Sequence, residues 1–141
     1  MRRLERRLRR EGFRTLNLGY PSSRCSVEQL AARVERDLAQ HLPPAAGPVH
    51  FVTHSLGGIV VRALANRPTA PGIGRVVMLA PPNQGSEIVD RFARIPILRS
   101  VLGASRRQLG TGRSGVPERL GPAAFEVGVI AGTWAGLMPL Q

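Results

Sequence analysis

Apolar residues recur at helical spacing in some stretches and cluster in short runs in others, and these changes of period divide the chain. Val27, Leu30, Ala31, Val34, Leu38 and Leu42 fall on one helical face. Ser26 and Gln29 form a capping box ahead of them, and Pro43 and Pro44 break the run. In residues 2–10, Leu4 and Leu8 stand four apart among charged neighbours, which predicts an amphipathic helix ending at Gly12. The segment 13–20 (FRTLNLGY) reads as a short strand that stops at Pro21, Ser22 and Ser23. Residues 49–53 (VHFVT) and 75–80 (RVVMLA) are short and nearly all apolar, as expected of strands covered on both faces in a parallel sheet. Between them, residues 55–65 (SLGGIVVRALA) switch abruptly to helical period, with Ile59, Val60, Ala63 and Leu64 inward, and end at residues 66–68.

Beyond Pro82 the periodicity weakens. A short helix over 87–94, an apolar stretch over 95–102 and a loop rich in Gly, Arg and Ser make residues 83–124 a cap-like or linker-like irregular segment. Regularity returns in a fourth strand, 125–131 (FEVGVIA), with Phe125 and Trp134 as core residues. Strands alternating with helices predict an α/β fold, a three-layer α/β/α sandwich with a mostly parallel sheet and right-handed crossovers. The 141 residues, 43% of them hydrophobic, suit one domain over 1–141, since a chain of this size buries roughly two-thirds of its unfolded surface. No internal repeat is visible.

Composition removes several classes of function. Cys25 is the single cysteine, so neither an internal disulfide nor a Cys-built zinc site is available, and no basic His near it in sequence activates its thiol. His41, His50 and His54 are too few and too badly spaced for a metal centre. No apolar run approaches the ~18 residues of a membrane span. The N-terminus has the basic part of a signal peptide without its apolar part, which makes the cytoplasm the default compartment.

Charge is the composition's oddest feature: 20 basic residues against 9 acidic ones give +11, and every basic residue is Arg. Six of them (Arg2, Arg3, Arg6, Arg7, Arg9 and Arg10) fall in the first ten residues. A solvated amphipathic helix explains this cluster, and so does an anionic-surface anchor or a nucleic-acid patch. The remaining Arg are scattered and no aromatic stacking residues accompany them, which favours the solvated helix, with no nucleic-acid partner.

The junction Thr53-His54-Ser55-Leu56-Gly57-Gly58 carries the candidate chemistry. A nucleophilic serine in an α/β sheet sits on a sharp, strained strand-to-helix turn that exposes its hydroxyl above the sheet edge. Gly57 lets strand and helix approach, and Gly58 gives the helix the same freedom against the sheet. Ser55 stands at a helix N-terminus, where the dipole and free N–H groups favour developing negative charge, and the Leu56 N–H is one natural oxyanion donor. Thr53 departs from Gly-x-Ser-x-Gly. The alternative is that Ser55 merely caps the helix while the glycines serve packing. The apolar strand before it and the helix after it favour the nucleophile.

The stretch 50–65 (HFVTHSLGGIVVRALA) resembles the nucleophile elbow of lipase- and esterase-like α/β-hydrolases, and 76–90 (VVMLAPPNQGSEIVD) resembles the strand and following loop of a bacterial triacylglycerol-lipase-like group. With YPS at 20–22 and VIAGT at 129–133 the resemblance covers most of the chain, weakening over 91–124. It implies a partial α/β-hydrolase fold and attack by serine on an ester or lipid carbonyl through an acyl-enzyme, without a cofactor. His54 would then line the site or pack beside it, with Gly57 at the turn. Asn83 and Gln84 would line the site mouth, although with Gly85 and Ser86 they equally suit a turn and helix start.

The resemblance also implies triad members in the order Ser, then Asp or Glu, then His. No histidine follows Ser55, and Asp90, the only later aspartate, precedes the position where the family carries its acid. The family's second oxyanion donor lies in a His-Gly loop that nothing here matches. The chain thus reads as cut at both ends and as weak or inactive alone. Uncovered sheet edges would then invite self-association. The alternatives are a non-catalytic remnant acting as a binding module and an Arg-driven binder of anionic surfaces or nucleic acid.

Overall fold

The computed structural model describes residues 1–20, 25–43, 46–81 and 120–131. In order these form α1 (Arg2–Arg10), α2 (Val27–His41), β1 (Val49–His54), α3 (Gly57–Ala65), β2 (Ile73–Leu79) and β3 (Val127–Ile130). The three strands make one parallel sheet in the order β1-β2-β3. The α/β fold class with a parallel sheet is therefore the one the periodicity predicts.

α2 begins where the capping box places it. Ser26 Oγ accepts the Gln29 N–H at 3.2 Å, and Gln29 Oε1 accepts the Ser26 N–H at 2.8 Å, so two otherwise orphaned donors are satisfied together. The expected cost of Ser26→Ala is about 1 kcal/mol, read as a lower urea midpoint with an unchanged slope.

The core is the seam between two helices. Leu30, Ala31, Val34 and Leu38 of α2 meet Ile59, Val60, Ala63 and Leu64 of α3, and half-buried Val49 and Phe51 of β1 close the cluster from the sheet side. A smaller cluster sets Val61 of α3 on Val76 and Met78 of β2, with Phe125 packed at its margin. The four inward positions expected of α3 are all buried. At the far end, Glu35 of α2 accepts from Arg67 Nε at 2.7 Å and from Thr69 Oγ1 at 2.6 Å, which ties the loop after α3 back to α2.

The Thr69 hydroxyl and then the Arg67 guanidinium hold the Glu35 carboxyl below its ordinary pKa. A depressed carboxylate lends stability above its unfolded pKa and loses it as pH falls through the folded one. Wild type and Glu35→Gln should therefore converge in melting temperature on acidification below the ordinary carboxylate range, wild type being the more stable at neutral pH.

One expectation needs correction. Residues 13–20 form no strand. Strand-forming side chains express that preference only against a neighbouring strand, and among the described residues none pairs with this segment. Polar side chains tie it to α1 instead: Arg9 Nε donates to Thr15 Oγ1 at 2.7 Å, and Asn17 Nδ2 donates to Glu5 Oε2 at 2.8 Å. Among the described residues β1 is covered on one face only. Val49, Phe51 and Thr53 turn to the core, while His50, Val52 and His54 on the opposite face are exposed among the described residues. The helix over 87–94, the apolar stretch over 95–102 and most of the irregular segment lie outside the described residues, as does Trp134.

β2 starts two residues before the apolar run, and the reason is a bulge. Val49 pairs with Ile73 but Phe51 pairs with Val76, so Gly74 and Arg75 together face His50. The His50 ring fills the space over Gly74, where a Cβ would lie 2.6 Å from ring atoms. Its Nδ1 accepts the Arg75 N–H at 2.8 Å, which puts the ring proton on Nε2. One imidazole thus satisfies the donor that the bulge removes from the ladder.

Candidate active site

Parallel strands bring their carboxyl ends to one edge of the sheet, and there the backbone is strained twice. Ser55, directly after β1, has φ +52°, and Ala80, directly after β2, has φ +45°. These are the only non-glycine residues with positive φ among the described residues. For an L-residue that conformation costs about 1–2 kcal/mol. The ladder imposes it: Ser55 N–H donates to the Leu79 carbonyl at 2.9 Å, and Ala80 N–H donates to the Ile130 carbonyl at 2.8 Å. Both residues are thus held in register with the sheet while the chain reverses direction. Ala80 also precedes Pro81, which disfavours helical backbone in the residue before it, so the strain there has no local origin. No sequence signal points to Ala80.

The turn leads at once into a helix. Leu56 is the N-cap of α3, already in helical conformation, and α3 has no side-chain cap. Ser55 Oγ has no hydrogen-bond partner among the described residues, and the side chain is half-exposed. The capping role open to Ser55 in the sequence is therefore not the one it plays. The Leu56 N–H likewise meets no backbone acceptor among the described residues, whereas the Gly58 N–H returns to the Ser55 carbonyl at 3.2 Å. A half-exposed hydroxyl thus stands beside an unused N–H at the positive end of a nine-residue helix.

Gly57 and Gly58 are buried, each against a different neighbour. A Cβ on Gly57 would lie 3.2 Å from Thr53 Cβ and 3.3 Å from the Tyr20 hydroxyl, and one on Gly58 would lie 2.9 Å from Met78 Sδ. Thr53, the departure from the usual glycine, is buried at the strand end and occupies the gap that Gly57 leaves. Tyr20 closes the other side of the turn, and burial pushes its phenol above its ordinary pKa, so it stays neutral at physiological pH.

His54, Ser55, Leu56 and Gly57 are brought together in this one turn, with the His54 side chain exposed at the end of β1. Asn83, Gln84 and Asp90 lie outside the described residues. His41 Nδ1 bonds the Asp37 carbonyl at 2.7 Å and His50 serves the bulge, so both are engaged elsewhere. Among the described residues no group of His, Cys, Asp and Glu could hold a metal ion.

The sequence model of the alpha/beta hydrolase family matches residues 1–139. The chain belongs to this family. No curated protein and no solved structure matches it. As an alpha/beta hydrolase, the chain is a hydrolase in the general sense, and the family's parallel sheet, helices and strand-to-helix turns account for the arrangement described above. No described helix is long and apolar enough to cross a membrane.

Proposed function

We propose that this alpha/beta hydrolase acts on carboxylic esters, in the manner of lipases and esterases, with Ser55 as its nucleophile. The observation that carries the reading is the positive φ of Ser55 between β1 and α3. Strain in a non-glycine residue persists only where its surroundings over-determine it, and it gathers at functional sites. Ser55 Oγ attacks the ester carbonyl and the tetrahedral oxyanion leans on the Leu56 N–H. The C–O bond to the alcohol breaks, the alcohol leaves with the proton released by serine, and water then cleaves the acyl-serine to acid and free enzyme. The same turn suits a bacterial triacylglycerol-lipase-like chemistry, with acylglycerols as the ester class and His54 and Gly57 in its wall.

The family's order puts the base after the serine, so His41, His50 and His54, which precede Ser55, are not assigned to it. The departure from the usual glycine at Thr53 favours one second reading, a non-catalytic alpha/beta hydrolase chain. Labelling by a fluorophosphonate, with the modified residue mapped by mass spectrometry, decides between them. Slow covalent modification at Ser55, lost in Ser55→Ala, supports the esterase reading. Folded protein that remains unmodified at Ser55 after prolonged exposure overturns it in favour of the second.

A further inference from the structure

We propose that the arginine stripe of α1 is a docking face for an anionic lipid surface. Arg3, Arg6, Arg7 and Arg10 follow one another at spacings of three, one and three residues, so they share one face of the helix. They line an open concavity of about 280 Å³ to which no carboxylate of the described residues contributes. Of the acidic residues of α1 and its cap, Glu11 pairs with Arg7 within the stripe at 2.9 Å, and Glu5 pairs with Arg9 outside it at 2.6 Å. Arg3, Arg6 and Arg10 are exposed and have no ion pair among the described residues. Several guanidinium groups around one concavity, on a chain of net charge +11, set up a positive field whose natural counterpart is a plane of phosphates.

Apolar side chains on the flank of the helix next to the stripe, and at its two ends, favour lipid over nucleic acid. No residue of α1 is buried, and Leu4 and Leu8 are only half covered. Met1 at its start is 53% exposed, and Phe13 just beyond its end is 59% exposed. A cationic face combined with unburied Leu, Met and Phe is the make-up of a helix lying in a bilayer interface, where headgroups take the charges and the acyl boundary takes the hydrocarbon. A nucleic-acid backbone would satisfy only the charges. None of this requires Ser55 to be nucleophilic.

Co-sedimentation of the intact chain with vesicles tests the assignment. Binding to phosphatidylcholine vesicles containing phosphatidylglycerol, absence of binding to phosphatidylcholine alone, and release by added salt are expected. The triple variant Arg3→Gln, Arg6→Gln, Arg10→Gln, at exposed positions where Gln preserves helix propensity, should bind anionic vesicles roughly a hundredfold more weakly. Arg33→Gln, Arg36→Gln, Arg75→Gln removes the same charge from outside α1 and its flank and should stay within about threefold of wild type. Equal binding to neutral vesicles, no vesicle binding, or equal losses in the two variants would overturn the proposal. So would retention on duplex DNA at salt concentrations that release the vesicles. The wild-type arms decide even if a variant proves unstable.

Discussion

Ser55→Gly is expected to melt at a higher denaturant concentration than wild type, by about 0.5–1 kcal/mol, while accepting no fluorophosphonate at all. Glycine takes positive φ without the penalty of about 1–2 kcal/mol that serine bears at +52°, and its larger loss of chain entropy returns part of that gain. Ser55→Ala isolates the two contributions. It keeps the Cβ and the strain, so its stability should match wild type, yet it too should be unlabelled. A gain in stability on losing the side chain of the proposed nucleophile is the signature of a site whose geometry opposes the fold. Equal stability of the Gly and Ala variants would show that no strain is stored at this turn.

The largest loss of stability is expected from Leu30→Ala, at about 3 kcal/mol. Leu30 is fully buried at the seam of α2 and α3, and both helices are fixed there by capping and by the sheet, so the space left behind cannot close. Against a total of about 5–15 kcal/mol for a domain, such a loss leaves little margin. Urea titration followed by circular dichroism measures it. Leu16→Ala is the matched control, because Leu16 is exposed in the unpaired segment and should change stability by no more than about 0.5 kcal/mol.

The elements that proved legible in the sequence are those whose signals are local. The capping box and the 3.6-residue period of α2 are complete within one segment, and the abrupt change of period at Ser55 marks the end of β1 and the start of α3. Legibility failed where the outcome depended on a distant partner. Residues 13–20 have a strand's composition, but pairing is a property of two segments, and polar bonds to α1 decide their conformation instead. Gly72 and Gly74 make the start of β2 look like linker, because only the three-dimensional register shows that a histidine 24 residues earlier fills the space above Gly74. At the candidate site, the strand-to-helix turn through Ser55, Leu56 and Gly57 could be read from the order of residues along the chain. The strain at Ala80 and the closure of the turn by Tyr20 could not, since the one arises from hydrogen bonding to β3 and the other from a contact across more than thirty residues.

The unequal spacing of the strands also bears on how the chain acquires its structure. β1 and β2 are joined through residues 55–72 with α3 packed between them, whereas β3 must return across residues 80–126. Its loop closure costs on the order of 1 kcal/mol more, and its four residues, all exposed, bury little to offset that. The β1-α3-β2 unit with α2 is therefore expected to be the early, slow-exchanging unit of folding. β3 docks late and opens first, so in hydrogen–deuterium exchange the β3 amides and their partners on the outer edge of β2 should lose protection well before those between β1 and β2. Because the Ala80 N–H is anchored on Ile130, each such opening frees Ala80 to relax while Ser55, anchored on Leu79, keeps its conformation.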